Sequence, residues 1–243
     1  MKKREILERI AGGLIVSCQA LPQEPLHSSF IMGRMAVAAK EGGASGIRAN
    51  GVEDIETIRR EVDLPVIGII KAEYPDSSVY ITPTLREAEA LLSLGVEILA
   101  LDATCRPRPG GISLEEFFLP LRQRYPEQVF MADCATFEEC VRAQELGFDL
   151  VGTTLRSYTP ETNGVQIPDY RLLKQLTREL STPVIAEGGI WERDQLGKVF
   201  ACGVHAAVVG TAITRPREIT RRFVEAIGSH QPERERRNLG GRE

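Results

Sequence analysis

The chain has 243 residues, 42% of them apolar and 26% charged, with a formal net charge of −4 at pH 7. That balance excludes a disordered or fibrous chain, and the slightly acidic total gives no basis for charge-driven nucleic-acid binding. No run approaches the roughly 18 apolar residues of a membrane-spanning helix, so no membrane partner is expected.

Met1-Lys2-Lys3-Arg4 is basic, but Glu5-Ile6-Leu7-Glu8-Arg9-Ile10 interleaves charge with apolar residues. This predicts a short amphipathic helix and not a signal peptide. Eight short apolar runs follow, each succeeded by a helical stretch: Leu14–Cys18, Ala44–Ile47, Val66–Ile70, Ile98–Leu101, Val129–Ala132, Leu150–Thr153, Val184–Ala186 and Ala206–Val209. They are often β-branched and apolar on both faces, as strands of a buried parallel sheet are. Their ends recur about every 27 residues, the length of a βα unit, and eight such units predict a single-domain (β/α)8 barrel over residues 1–228. Residues 229–243 are polar and charged and are expected to form a frayed tail. The rival fold, a doubly wound open sheet, lacks its GxGxxG after the first strand; Gly12-Gly13 precedes that strand.

The helices carry their own marks. Thr84…Glu87, Ser113…Glu116 and Thr136…Glu139 have the spacing of capping boxes, and Gly95, Gly147 and Gly203 stand just past expected helix ends. Pro65 and Pro183 each precede a strand, where a missing N–H costs little.

In such a barrel the chemistry collects at the C-terminal ends of the strands. Those ends are Gln19, Arg48, Lys71, Asp102, Asp133, Thr153-Thr154, Glu187-Gly188-Gly189 and Gly210-Thr211. Lys71 emerges from the apolar Ile69-Ile70. A partly desolvated lysine loses proton affinity and serves as a base near neutral pH. Asp102 and Asp133 read equally well as loop caps. The glycine-rich turns after strands seven and eight, with Gly188, Gly189, Gly210 and Thr211, have the placing of a phosphate site. Arg215, read as lying in the first turn of the last helix, adds a charged donor.

The five cysteines, at positions 18, 105, 134, 140 and 202, include no CxxC pair. Reduced thiols in a cytoplasmic protein are expected, none of them essential. His27, His205 and His230 stand singly, so no metal site is expected, and no cofactor is required.

With these residues in view, the sequence resembles the N-acylglucosamine-6-phosphate 2-epimerases, also called N-acetylmannosamine-6-phosphate 2-epimerases. The likeness covers about residues 5 to 227. It rests on Val16-Ser17-Cys18-Gln19-Ala20, Gly46-Ile47-Arg48-Ala49-Asn50-Gly51, Gly68-Ile69-Ile70-Lys71, Ile81-Thr82-Pro83-Thr84 and Leu101-Asp102-Ala103-Thr104. It continues through Ala132-Asp133, Val151-Gly152-Thr153-Thr154-Leu155, Ala186-Glu187-Gly188-Gly189 and the segment Val209 to Pro216. The resemblance implies a (β/α)8 barrel that interconverts N-acetylmannosamine 6-phosphate and N-acetylglucosamine 6-phosphate, in sialic acid catabolism. It implies catalytic roles for Lys71 and Glu187, and sugar-binding roles for Gln19, Arg48 and Asp133, to which Thr153 is added. Phosphate binding by Gly188, Gly189, Gly210 and Arg215, with Thr211 beside them, and a homodimer are implied as well. One departure stands out: where the family usually has Ser-Gly before Tyr-Thr, this chain has Arg156-Ser157, so the loop after strand six gains a charge and loses a glycine.

The chemistry is coherent with these residues. Inverting C2 of a 2-acetamido sugar means removing a carbon-bound proton that is acidic only beside an open-chain C1 aldehyde. That step needs a base and a group to hold the enolate oxygen. Two other readings share the barrel: an aldolase using Lys71 as a Schiff base, and a non-catalytic binder of a phosphorylated sugar.

Overall fold

The computed structural model describes residues 2–228, and the tail expected at 229–243 lies outside the described residues. Eight parallel strands close into one barrel in sequence order: β1 (Leu14–Cys18), β2 (Gly46–Asn50), β3 (Val66–Ile69), β4 (Ile98–Asp102), β5 (Val129–Asp133), β6 (Leu150–Gly152), β7 (Val184–Glu187) and β8 (Ala206–Val209), with β8 pairing back to β1. The helices are α1 (Lys3–Ile10), α2 (Ser29–Glu41), α3 (Val52–Glu61), α4 (Leu85–Leu94), α5 (Leu114–Arg124), α6 (Phe137–Leu146), α7 (Tyr170–Glu179), α8 (Arg193–Phe200), the one-turn α9 (Thr211–Thr214) and α10 (Pro216–Gly228).

The helix signals operate as their chemistry requires. Ser113 and Thr136 each accept a hydrogen bond from the backbone N–H three residues on. The partner glutamates Glu116 and Glu139 reach back to the N-cap N–H. Thr84 and Glu87 make the third such box. Gly95 and Gly147 end their helices in the left-handed conformation, which glycine adopts without steric cost.

Successive strand side chains point to opposite faces, so each strand feeds two cores. One lies inside the barrel and holds Ile15, Ile67, Ile69, Ile98, Met131, Leu150, Ile185 and Val208; Ile6 and Ile10 of α1 join it. The other lies between strands and helices and includes Ile47, Leu99, Leu101, Phe130, Val151 and Val209. A Cβ at Gly152 would meet Met131 Cε at 2.4 Å, so the methionine would have to shift to admit a larger residue.

The second strand differs from expectation. It begins at Gly46, two residues later than the run Ala44–Ile47, and continues through Arg48 to Asn50, pairing with Ile67 to Ile69. A charged residue reads as a strand end, but Arg48 points into the barrel, where a buried carboxylate balances it.

Candidate active site

Inward-facing positions continue past the apolar layers at the C-terminal ends of the strands. Ser17 and Gln19 follow Ile15, and Arg48 follows Gly46. Lys71 follows Ile69, Asp133 follows Met131, Thr154 follows Gly152, and Glu187 follows Ile185. Most of these side chains line one cavity of about 370 Å³, together with Tyr80, Tyr158, Ile167, Trp191 and the turns Gly188-Gly189 and Gly210-Thr211.

Its floor is an ion cluster. Arg48, 1% exposed, donates from Nη1 and Nη2 to both carboxylate oxygens of Asp133 at 3.1 and 2.6 Å, and Asp133 is 0% exposed. Arg48 Nη1 also stands 3.2 Å from Glu187 Oε2. Thr154 Oγ1 lies 2.6 Å from Asp133 Oδ1 and 3.2 Å from Glu187 Oε2, tying the two carboxylates together. Burial opposes the charge on Arg48, but Asp133 and Glu187 outweigh it and raise its pKa. Burial also raises the pKa of Glu187, against the pull of Arg48, so this carboxyl holds a proton more readily than a surface glutamate.

Lys71 stands above this floor. Its backbone N–H donates to Asn50 Oδ1 at 2.8 Å, which anchors the end of β3 to β2. Its Nζ has no hydrogen bond or ion pair among the described residues. Burial first, and then the positive field of Arg48, lower its pKa below the usual 10.5, and Glu187 only partly offsets them. The result is a lysine that gives up its proton more readily than a surface lysine, facing a cavity.

The remaining expected residues are placed as follows. Gln19 Nε2 donates to Ser17 Oγ at 3.0 Å, while Gln19 Oε1 is buried with no donor among the described residues. Asp133 is fully buried against Arg48 and is not among the residues lining the cavity. Thr153 points away from the cavity: its hydroxyl donates to Glu187 O at 3.0 Å and accepts from Glu187 N–H at 3.1 Å, clipping β6 to β7. The neighbouring Thr154 lines the cavity instead.

Gly188, Gly189, Gly210 and Thr211 all line the cavity mouth. Gly189 has φ +70°, and a Cβ there would meet Ile167 O at 2.5 Å, so glycine is required. Arg215 also lines the mouth, ion-paired to Glu24 at 2.8 Å. It does not lie in the first turn of the last helix as expected. It sits between α9 and α10 with non-helical φ −119° and ψ 77°, because Pro216 follows and disfavours helical backbone at the residue before it.

The departure at Arg156-Ser157 is absorbed locally. Arg156 pairs with Asp169 at 2.8 Å and donates to Ala135 O at 3.1 Å. Ser157 takes φ +73°, a left-handed conformation that favours glycine. Sequence reasoning did not single out Tyr80, Ile167 or Trp191, which lie in loops with no motif to mark them.

Of the five free cysteines only Cys105 is exposed, and burial pushes the Cys18 thiol up to about 12, far from the thiolate that reactivity needs. Among the described residues no group of three or more His, Cys, Asp or Glu side chains is placed to hold a metal ion. No helix among them is long and apolar enough to cross a membrane.

Three comparisons with known proteins bear on this site. The family model described as "Putative N-acetylmannosamine-6-phosphate epimerase" matches residues 32–229. The proteins named "Putative N-acetylmannosamine-6-phosphate 2-epimerase" from Enterobacter sp. (strain 638) and Clostridioides difficile (strain 630) are each 53% identical, over 95% and 91% of this chain and 99% of their own lengths. The structure of the N-acetylmannosamine-6-phosphate 2-epimerase from Clostridium perfringens matches with a TM-score of 0.87 and 49% identity, over 91% of this chain and 96% of that one.

Proposed function

The chain belongs to the N-acetylmannosamine-6-phosphate epimerase family, and from that premise we propose how its residues divide the interconversion of N-acetylmannosamine 6-phosphate and N-acetylglucosamine 6-phosphate, a step of sialic acid catabolism. The observation that carries the reading is Lys71, an unpaired amine of lowered pKa in the cavity wall above a buried Arg48–Asp133–Glu187 cluster.

The 6-phosphate sits at the glycine turns after β7 and β8, where backbone N–H groups approach its oxygens and Arg215 supplies charge. Gln19 Oε1, buried without a donor, accepts from a substrate O–H or N–H. Glu187, with its raised pKa, exchanges a proton with the ring oxygen as the sugar opens. Lys71 Nζ then takes the C2 proton, and the C2–H electron pair moves through C1 onto O1 as an enolate. Arg48, held by Asp133, supplies the positive field that favours this charge. Return of a proton to the opposite face of C2 completes the inversion.

Proton NMR with N-acetylmannosamine 6-phosphate in D₂O tests the reading. N-acetylglucosamine 6-phosphate is expected as product, and deuterium at C2 marks exchange of the abstracted proton with solvent. The unphosphorylated sugar is expected to lose roughly 10²-fold or more in kcat/KM, since binding at the phosphate supports the chemistry at C2. Equal efficiency on both sugars would exclude a phosphate role for the two turns. Borohydride with substrate is expected to leave Lys71 unmodified; a covalent adduct would instead identify a Schiff-base aldolase.

The assembly proposed is a homodimer. α10 has α9 as its principal neighbour, and its apolar residues Ile219, Phe223 and Ile227 recur every four positions. Phe223 is 72% and Ile227 65% exposed, an apolar stripe that a second copy of the chain would cover. Sedimentation should give a dimer for the unaltered chain, and Phe223→Asp with Ile227→Asp should give a monomer; an unaltered chain that sediments as a monomer removes the proposal. The cytoplasm is the proposed location, a reducing compartment suiting five unpaired thiols.

A further inference from the structure

The loop after β3 is not a simple turn. Beyond Ile69 the chain runs out and folds back as a narrow hairpin. Lys71 bridges antiparallel to Ile81, and Tyr74 to Ser77. Ala72 N–H donates to Tyr80 O at 3.0 Å and Thr82 N–H to Ile70 O at 2.8 Å. The returning arm is stitched to β4 by Asp102 N–H donating to Ile81 O at 3.0 Å and by Thr82 Oγ1 donating to Ala100 O at 2.8 Å. Tyr80 is thereby fixed across the hairpin from the Lys71-Ala72 pair, with its half-buried side chain lining the cavity.

The Tyr80 hydroxyl has no hydrogen-bond partner among the described residues. Its charged neighbours are Asp133, Asp102, Arg106 and Arg48. Burial first, and then the two aspartates, push the phenol up to about 12, so it keeps its proton through the working range of an enzyme. It is a neutral donor without an acceptor among the described residues, lining the same cavity as Lys71.

On the cavity floor, Arg48 Nη1 and Nη2 are held by Asp133 and Glu187, while its Nε has no partner among the described residues but is buried. Thr154 Oγ1 serves Asp133 and Glu187. When C2 is deprotonated the charge appears on O1, one carbon away, and a donor there counts for more in the transition state than in the ground state.

We propose that Tyr80 is a catalytic residue, its phenol donating a hydrogen bond to the substrate O1 as Lys71 removes the C2 proton. The C2–H bond breaks, the Lys71 N–H bond forms, the electron pair moves onto O1, and Tyr80 retains its own proton throughout. This inference rests on the epimerase reading and deepens it.

The test is Tyr80→Phe, assayed with N-acetylmannosamine 6-phosphate beside the unaltered enzyme. A fall in kcat of about 10²–10³-fold is expected, with KM within threefold and an unchanged melting temperature. A kcat within threefold of the unaltered enzyme, or an effect on KM alone, overturns the proposal. Should the variant not fold, 3,5-difluorotyrosine at position 80 decides. Its more acidic phenol should add a loss of kcat at alkaline pH that the unaltered enzyme lacks, and no such loss overturns the role. Failure of the unaltered enzyme to epimerise at all would strike the epimerase reading itself, a separate result from a tolerant position 80.

Discussion

Replacing Lys71 by alanine is expected to cost at least the roughly 10²–10⁴-fold in turnover that a positioned general base supplies, while leaving KM within a few-fold. Gln19, Arg215 and the two glycine turns, proposed above to bind the sugar phosphate, would remain in the cavity lining. The pH profile of the unaltered enzyme should carry the same signature. A base must be neutral to accept a proton, so kcat/KM should rise with pH through the Lys71 pKa. Burial and Arg48 hold that pKa below the usual 10.5, so the midpoint of the rise should fall below that value. The Lys71→Ala enzyme, assayed by C2–H loss in D₂O, should lose the rising limb along with the rate. Near-normal turnover in this variant would place the base elsewhere.

A second large effect is expected at the cavity floor, in stability more than in contact with substrate. Asp133→Ala leaves Arg48 buried without its bidentate partner, and Glu187 at 3.2 Å is a poorer substitute. Removing one side of a buried ion pair costs about 3–5 kcal/mol, because the other charge stays desolvated. For a chain of this length that is a fall in Tm of about 6–20 °C. The double replacement Arg48→Met with Asp133→Leu should recover most of that stability, since no lone charge is then buried. It should not recover activity, because the positive field beside Lys71 is gone. Calorimetry on the two variants separates the cases, and a fully stable Asp133→Ala protein would show that Arg48 is compensated in another way.

Much of this molecule is legible in one dimension. A βα repeat makes strands apolar on both faces because each separates two cores. Eight such runs at βα spacing therefore specify a closed barrel before any contact is known. The alternation of strand side chains also carries the site. Gln19, Arg48, Lys71, Asp133 and Glu187 all fall on the inward phase of their strands, two residues beyond an inward residue of the strand. Thr153 is out of phase, whereas Thr154 continues Leu150 and Gly152 inward, so the phase alone distinguishes the two threonines.

Tertiary structure decided what depends on groups distant in sequence. Arg48 and Asp133 are 85 positions apart, and no local pattern states that Asp133 would pair with this guanidinium. The limit of β2 moved for the same reason, since a charged residue stays within a strand when its counter-charge comes from across the barrel. Arg215 was displaced from its expected helix by Pro216, which its own neighbourhood already stated, but its pairing with Glu24 from the far end of the chain was not. Tyr80 carries no signal of its own, because a tyrosine in a loop gains its meaning only from the hairpin that brings it into the cavity lined by Lys71. Periodicity records which face a side chain takes, a local property of backbone geometry. Burial, ion pairing and the resulting proton affinities come from the sum of surrounding charges and solvent exclusion, which exist only once the barrel has closed.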